Sequence, residues 1–289
     1  MSIIEPVIRP PAEAESFLLQ VTLGCSANNC SFCGAYMNKP FRVKSEHEIL
    51  EDIEYNKRRY PDTRRVFLMD GDALVLSNKR LVPILQHLQL SFPKLNRVAS
   101  YANAFNLTNR SDSELEELYQ HKLRLIYLGL ESGNQAILDF CRKKASVSEM
   151  VGAVQRAQKA GVKSSVMVLL GLGGRKYSAE HIRDTITALN KMQPRYLSFL
   201  SVVLIPGTEL FRAAKKNKFE ELGPLELLLE AREIIKGLEL TQTVFRSDHA
   251  SNYLSLEGRF PADKDRLLFI INQAIDGQLK LKPDFLRGL

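Results

Sequence analysis

Cys25, Cys30 and Cys33 are the residues with the most chemistry to offer. They stand as Cys-x4-Cys-x2-Cys in a loop flanked by Gly24 and Gly34, while a fourth cysteine, Cys141, lies far along the chain. A short loop of this kind wraps three thiolates around one face of a soft metal centre. Structural zinc takes four ligands, usually as two pairs. The sequence has no second Cys-x2-Cys, and His47 is the one histidine near the triplet. Plant-type ferredoxins use the same spacing for a 2Fe–2S cluster with a fourth cysteine further on, and Cys141 alone is available for that place. Three thiolates without a fourth point instead to a 4Fe–4S cluster with one open iron. Buried thiols without metal explain three cysteines in one glycine-flanked loop poorly.

The elements that must position this loop follow from hydrophobic pattern and caps. Phe17–Thr22 reads as a strand ending just before Cys25. Further strands are expected at Val66–Met69, Val98–Tyr101, Leu125–Gly129, Val166–Leu170 and Leu197–Val203. Helices fall between them. Ser45 with Glu48, Ser111 with Glu114 and Ser146 with Glu149 have capping-box spacing. Gly161 is placed to end a helix in left-handed backbone. Strands separated by helical sequence argue for parallel βα units. An open doubly wound sheet and a barrel both satisfy this pattern, and both put functional groups at the carboxyl ends of strands. The unusual residues lie there: the cysteines, Asp70-Gly71-Asp72, Asn103, Glu131-Ser132-Gly133, Gly171-Leu172-Gly173-Gly174 and Pro206-Gly207.

The 289 residues are 45% hydrophobic and 25% charged, with a net charge of +7, which excludes a disordered, collagen-like or disulfide-scaffold chain. No apolar run is long enough to span a membrane, and Met1–Glu15 lacks the pattern of a signal peptide, so a cytoplasmic protein with no membrane partner is expected. The basic residues form short scattered clusters. They suit a solvated surface and leave a polyanion such as tRNA as a candidate partner.

Several of these motifs together resemble the radical S-adenosylmethionine (SAM) superfamily. The usual spacing there is Cys-x3-Cys-x2-Cys, so this loop is one residue longer. Phe32 stands before the last cysteine, and Asp70-Gly71-Asp72 resembles the Gly-Gly-Glu motif after strand two. Leu128–Gly133 and Ile205–Thr208 are similar to strands four and six of the branch containing methylthiotransferases, the Elongator catalytic subunit and oxygen-independent coproporphyrinogen oxidase. The resemblance implies a partial (β/α)6 TIM-like barrel over residues 1–207, followed by a helical extension over 208–289. It implies a 4Fe–4S cluster on Cys25, Cys30 and Cys33, and SAM as the second cofactor. SAM contacts are expected from Phe32, Gly71, Asp72, Asn103, Glu131, Lys143 and Ile205. Reductive cleavage of SAM would yield a 5′-deoxyadenosyl radical that abstracts hydrogen from substrate.

A compact substrate is favoured, with tRNA as the alternative, and an electron donor such as flavodoxin or ferredoxin is implied. An iron–sulfur electron carrier or sensor without SAM is the competing function. Cys141 reads as structural. The segment Arg246–Tyr253 is expected to fold over the open barrel face, with His249 as its best substrate contact. The extra residue of the cysteine loop is expected to be absorbed by left-handed backbone at Asn28 or Asn29.

Overall fold

The computed structural model describes residues 3–288. Its elements run β1 (Phe17–Gln20), β2 (Thr22–Leu23), β3 (Arg42–Val43), α1 (Glu46–Arg59), β4 (Arg65–Met69), α2 (Asn78–Ser91), β5 (Arg97–Tyr101), α3 (Ala104–Thr108), α4 (Asp112–Gln120) and β6 (Leu123–Glu131). They continue with α5 (Gln135–Phe140), α6 (Val147–Lys159), β7 (Lys163–Leu170), α7 (Ser178–Met192), β8 (Tyr196–Ser201), α8 (Glu209–Lys215), α9 (Pro224–Gly237), β9 (Val244–Arg246), β10 (Glu257–Arg259) and α10 (Lys264–Ile275). The chain gathers into two compact units. One holds the residues up to Asn28 with Ala35–Leu128 and Ala153–Ser164; the other holds Asn29–Gly34, Gly129–Gly152 and the chain from Ser165 onward.

In the first unit β1, β4, β5 and β6 pair in parallel, with Phe17 opposite Val66, Phe67 opposite Ala99 and Tyr101 opposite Tyr127. Parallel strands need crossover helices, and α1, α2 and α4 supply them. The three expected capping boxes form: Ser45 with Glu48, Ser111 with Glu114, and Ser146 with Glu149. Each satisfies orphan backbone N–H groups at a helix start. Gly161 leaves α6 at φ +90°, where a Cβ would press on the Tyr119 ring at 2.9 Å.

One face of this sheet carries Phe67, Tyr101 and Tyr127, packed edge to face with centroids 5.2–5.9 Å apart. Glu13, fully buried on the 3-10 turn Pro11–Glu13, accepts a 2.6 Å hydrogen bond from Tyr127 Oη. It also pairs with the Arg97 guanidinium at 2.7 Å.

The second unit continues the βα pattern. β7, β8 and β9 pair in parallel, and β10 adds antiparallel to β9. These two short strands lie in the stretch that reads as irregular in the sequence. Their three-residue length gives no periodicity to detect. The tail is therefore not wholly helical: α8, α9 and α10 are joined by a small β ribbon. No helix among the described residues is long and apolar enough to cross a membrane.

Replacing Glu13 with Ala leaves Arg97 and the Tyr127 hydroxyl without their partner. A loss of about 3 kcal/mol is expected, since removing one member of a buried pair strands the other. Chemical denaturation of E13A against the parent chain measures it.

Candidate active site

The chain turns sharply between β2 and the cysteine loop at Gly24, whose φ is +70°. A Cβ there would stand 2.6 Å from the Lys39 carbonyl, so only glycine fits. Asp70, just past β4, reaches back to this turn. Its Oδ2 accepts from Gly24 N–H at 2.9 Å and pairs with Lys39 Nζ at 2.7 Å. Gly71 N–H in turn donates to the Gly24 carbonyl at 3.0 Å. Asp70 itself sits at φ +66°, rare for a residue with a side chain. Cys25 is thereby set against Gly71, where an added Cβ would lie 2.5 Å from Cys25 Cβ and 2.8 Å from its sulfur.

Asp72 is fully buried, accepts from Asn106 Nδ2 at 2.8 and 2.7 Å, and also accepts from Ser26 Oγ. Its carboxylate thus holds the residue after Cys25. On the next strand end, Asn103 has a buried Nδ2 with no hydrogen-bond partner.

The cysteine loop continues as a turn over Ser26–Asn29. Neither Asn28 nor Asn29 adopts positive φ, which corrects the expectation of a left-handed bulge there. The left-handed residue is Gly24, and the turn absorbs the extra length with Asn28 Nδ2 donating to the Tyr36 carbonyl at 2.8 Å. The side chain, rather than strained backbone, closes the turn.

Cys30 and Cys33 are bracketed from behind. Ser31 N–H donates to the Cys141 carbonyl at 2.9 Å, and Leu210 N–H donates to the Ser31 carbonyl at 2.8 Å. Phe32 packs on a buried cluster of Ile137, Cys141, Leu172, Val202, Leu210 and Phe219. Gly34 faces Ile205, whose Cγ2 would lie 2.8 Å from an added Cβ. Cys141 is wholly buried, and burial pushes its thiol up to about 12.

Glu131, the last residue of β6, is at φ +62°, and its carboxylate folds over Gly129. A Cβ on Gly129 would overlap Glu131 Oε1. Lys143 Nζ donates to Glu131 Oε1 at 2.9 Å, and both side chains are mostly buried. The Cys30 thiol is raised above its ordinary value by burial, with Lys143 opposing and Glu131 and Cys33 adding. Cys30, Cys33, Glu131 and Lys143 therefore share one electrostatic neighbourhood.

A second network escapes sequence reading. Ser132 accepts from Asn134 N–H at 3.1 Å and shares a 2.8 Å hydrogen bond with His181 Nδ1 on α7. Thr185 Oγ1 accepts from Gly133 N–H at 2.9 Å, and Asp184 accepts from Asn134 Nδ2 at 2.6 Å. On α9, Glu230 is 1% exposed, lies 3.6 Å from His181 Nε2, and accepts from Gly171 N–H at 2.5 Å and from Ser178 Oγ. Burial pushes Glu230 up to about 7 and His181 down to about 4. Glu230 sits within an ordinary amphipathic helix pattern, so no sequence signal separates it from a surface glutamate.

The tail segment Arg246–Tyr253 is pinned to β8. Ser201 N–H donates to Ser251 Oγ at 3.0 Å, Ser201 Oγ donates to Asn252 Oδ1 at 2.9 Å, and Asn252 Nδ2 donates to the Phe199 carbonyl at 2.8 Å. His249 Nδ1 is engaged with Ser251 Oγ at 2.8 Å. These polar groups serve as an anchor for the tail.

Among the described residues the four cysteines form no disulfide, and Cys25, Cys30 and Cys33 are half-buried. Among the described residues, no three His, Cys, Asp or Glu side chains are gathered to hold a single metal ion. A cluster takes one thiolate at each of three corners, so three separate half-buried thiols fit it as a donor set. The orphaned Asn103 amide leaves a donor for a polar ligand at the end of β5.

Residues 19–189 match the model of the radical SAM superfamily. The chain belongs to that superfamily, whose members are enzymes that use a 4Fe–4S cluster and SAM. It is 24% identical over 280 residues to an uncharacterized methyltransferase, PH0819, of Pyrococcus horikoshii, covering 91% of this chain and 57% of that protein. In fold it is similar to coproporphyrinogen III oxidase HemN of Escherichia coli, with TM-score 0.57 and 13% identity over 76% of this chain and 52% of the other. It is also similar to the methyltransferase TsrM of Kitasatospora setae, solved with cobalamin and a [4Fe-4S] cluster, with TM-score 0.55 and 15% identity over 69% and 39%. The chain thus spans about half the length of these relatives. The mostly parallel α/β architecture is that of the partial barrel expected from the motifs.

Two outcomes follow. Gly71→Ala drives a methyl into Cys25, so the variant should keep its far-ultraviolet circular dichroism yet take up far less iron on anaerobic reconstitution; parent-like iron and sulfide content would contradict the cradle. Glu230 holds its proton in the folded state more tightly than in the unfolded chain. Its contribution to stability is complete below its ordinary value of 4.5 and is lost as pH rises through about 7. His181 acts in the opposite window, losing its contribution as pH falls from 6.5 through about 4. Glu230→Gln removes the first term alone, so it should gain about 3 kcal/mol over the parent at pH 8, falling to almost nothing by pH 4. Thermal melts across that range decide it.

Proposed function

We propose that this chain binds a 4Fe–4S cluster through Cys25, Cys30 and Cys33 and cleaves SAM reductively there, using the 5′-deoxyadenosyl radical to abstract hydrogen from a compact substrate. The observation that carries this reading is the close fit of Cys25 to Gly71, fixed by the Asp70–Gly24 bond. The bound cluster supplies the electron and the open iron that anchors SAM.

The chain's own residues bind, orient and exclude water. The backbone of Gly71 and Asp72 holds the SAM amino group, and Asn103 donates its free amide hydrogen to SAM. The Glu131–Lys143 pair offers one acceptor and one cation for the polar ends of SAM, and Phe32 and Ile205 cover adenine. Residues 1–207 act as the catalytic core and 208–289 as an appended extension. Cysteines without disulfides suit a reducing compartment, the cytoplasm. An electron donor of the flavodoxin or ferredoxin type serves the cluster, and tRNA is the second candidate substrate. Methyl transfer is a second net reaction, favoured by the similarity to the methyltransferases PH0819 and TsrM.

The test is anaerobic reconstitution, addition of SAM and dithionite, and chromatography for 5′-deoxyadenosine and S-adenosylhomocysteine. The first product alone supports hydrogen abstraction, and the second identifies methyl transfer. A fully loaded cluster that yields neither would remove the proposal. Asn103→Ala should weaken SAM binding about tenfold, the worth of one lost hydrogen bond, with cluster content unchanged. Equilibrium dialysis measures the change.

A further inference from the structure

The second compact unit carries a surface notch that the proposed chemistry does not use. It has a volume of about 200 Å³ and is walled by Ile137, Phe140, Tyr177 and Phe219, with Lys176 and Lys218 at its rim. Phe140 is 50% exposed and Tyr177 45%, far more than aromatic rings in a packed interior. The segments on either side are basic. Arg142, Lys144, Arg212, Lys215, Lys216 and Lys218 are all exposed, and neither 140–144 nor 212–218 contains a carboxylate. Of the neighbouring acids, Glu209 pairs with Arg142 at 2.6 Å and Glu220, which also lines the notch, pairs with Arg175, while Asp139 and Glu221 are exposed. An apolar centre flanked by basic segments is the anatomy of a transient protein interface.

The notch has a short route to the cysteine loop. Ile137 and Phe219 line it and also belong to the buried cluster on which Phe32 packs. The same cluster contains Cys141 and Leu210, whose backbone groups hold Ser31 between Cys30 and Cys33.

We infer that this notch and its basic rim are the docking face for a small acidic electron-transfer protein, one whose redox group is exposed at an apolar edge ringed by carboxylates. The inference rests on the reading of Cys25, Cys30 and Cys33 as cluster ligands. One electron leaves the donor and one enters the cluster; no bond is made or broken in docking. The basic rim attracts the donor, the notch seats its apolar edge, and the small area permits rapid release, as transient redox encounters require.

The test compares the reconstituted protein with its Lys215→Glu/Lys216→Glu/Lys218→Glu variant, using purified flavodoxin as the probe. In the variant, the dissociation constant for oxidised flavodoxin should rise, and stopped-flow reduction of the cluster by reduced flavodoxin should slow, each about tenfold or more at low salt. Added salt should bring the parent toward the variant. Phe140→Ser should weaken binding without changing its salt dependence. Dithionite-driven SAM cleavage should be equal in parent and variants, and its absence in both would count against the enzymatic reading rather than the docking face. Unchanged flavodoxin binding and reduction in the charge-reversed protein would overturn the inference. Loss of tRNA retention in a gel-shift assay with flavodoxin binding intact would overturn it in favour of a nucleic-acid face.

Discussion

The site hangs on one buried carboxylate. Asp70 lies in left-handed backbone at the end of β4, is fully buried, and grips the Gly24 amide while it neutralises Lys39. Lys39 is 4% exposed and donates onward to the Ile4 and Pro6 carbonyls, at 2.6 and 2.8 Å. The first cysteine therefore follows a turn fixed at both ends by charge. Burial raises the Asp70 carboxyl above its ordinary value against the pull of Lys39. That is the mark of an ion pair held by its surroundings rather than one that drives folding. Its use is positional, since it fixes where Cys25 stands against Gly71.

Glu131 repeats the device at the end of β6. It too is a carboxylate in left-handed backbone, folded over a glycine and tied to a lysine. Strain of this kind persists only where neighbouring structure over-determines it. Here the next three residues are clamped by Thr185, Asp184 and His181 of α7. The backbone at Glu131 cannot relax without breaking hydrogen bonds to a helix, so the carboxylate stays aimed at Lys143 and toward the neighbourhood of Cys30.

What the sequence revealed, and what it hid, divides along the range of the interactions. Strands such as Val66–Met69 and caps such as Ser45 with Glu48 are local, and they form where the pattern puts them, with β6 and β7 extending a few residues beyond it. The chemically distinctive residues at strand ends were equally legible, because cysteines, Asp-Gly-Asp and an isolated Glu-Ser-Gly stand out against apolar runs. Long-range ties were not. Nothing near Glu230 announces that it meets Gly171, 59 residues away. Nor does anything near Asp72 announce that its side chain is occupied by Ser26 and Asn106. Asparagine tolerates left-handed backbone, so the sequence favours Asn28 or Asn29 for it. The chain places it at Gly24, where the close approach of the Lys39 carbonyl leaves no room for any side chain.

Two of these long-range ties follow a common rule. Gly24 at φ +70° and Gly171 at φ +82° both turn the chain as it leaves a strand, and the N–H of each donates to a buried carboxylate from a distant element, Asp70 and Glu230. A glycine is needed at such a turn for its backbone freedom, and that same freedom makes the turn floppy in isolation. A hydrogen bond from the glycine amide to a carboxylate contributes about 1.5–3 kcal/mol, against about 1 for a neutral acceptor. It acts on the one residue whose torsions are loosest. The two acids differ in how they tolerate burial: Asp70 keeps a lysine beside it, whereas Glu230 faces a neutral histidine and holds its proton toward neutral pH. The turn at Gly24 is thereby held by an ion pair that charge keeps rigid. The turn at Gly171 is held by a carboxyl that tightens or loosens with pH, which leaves the loop Gly171–Gly174 the more adjustable of the two.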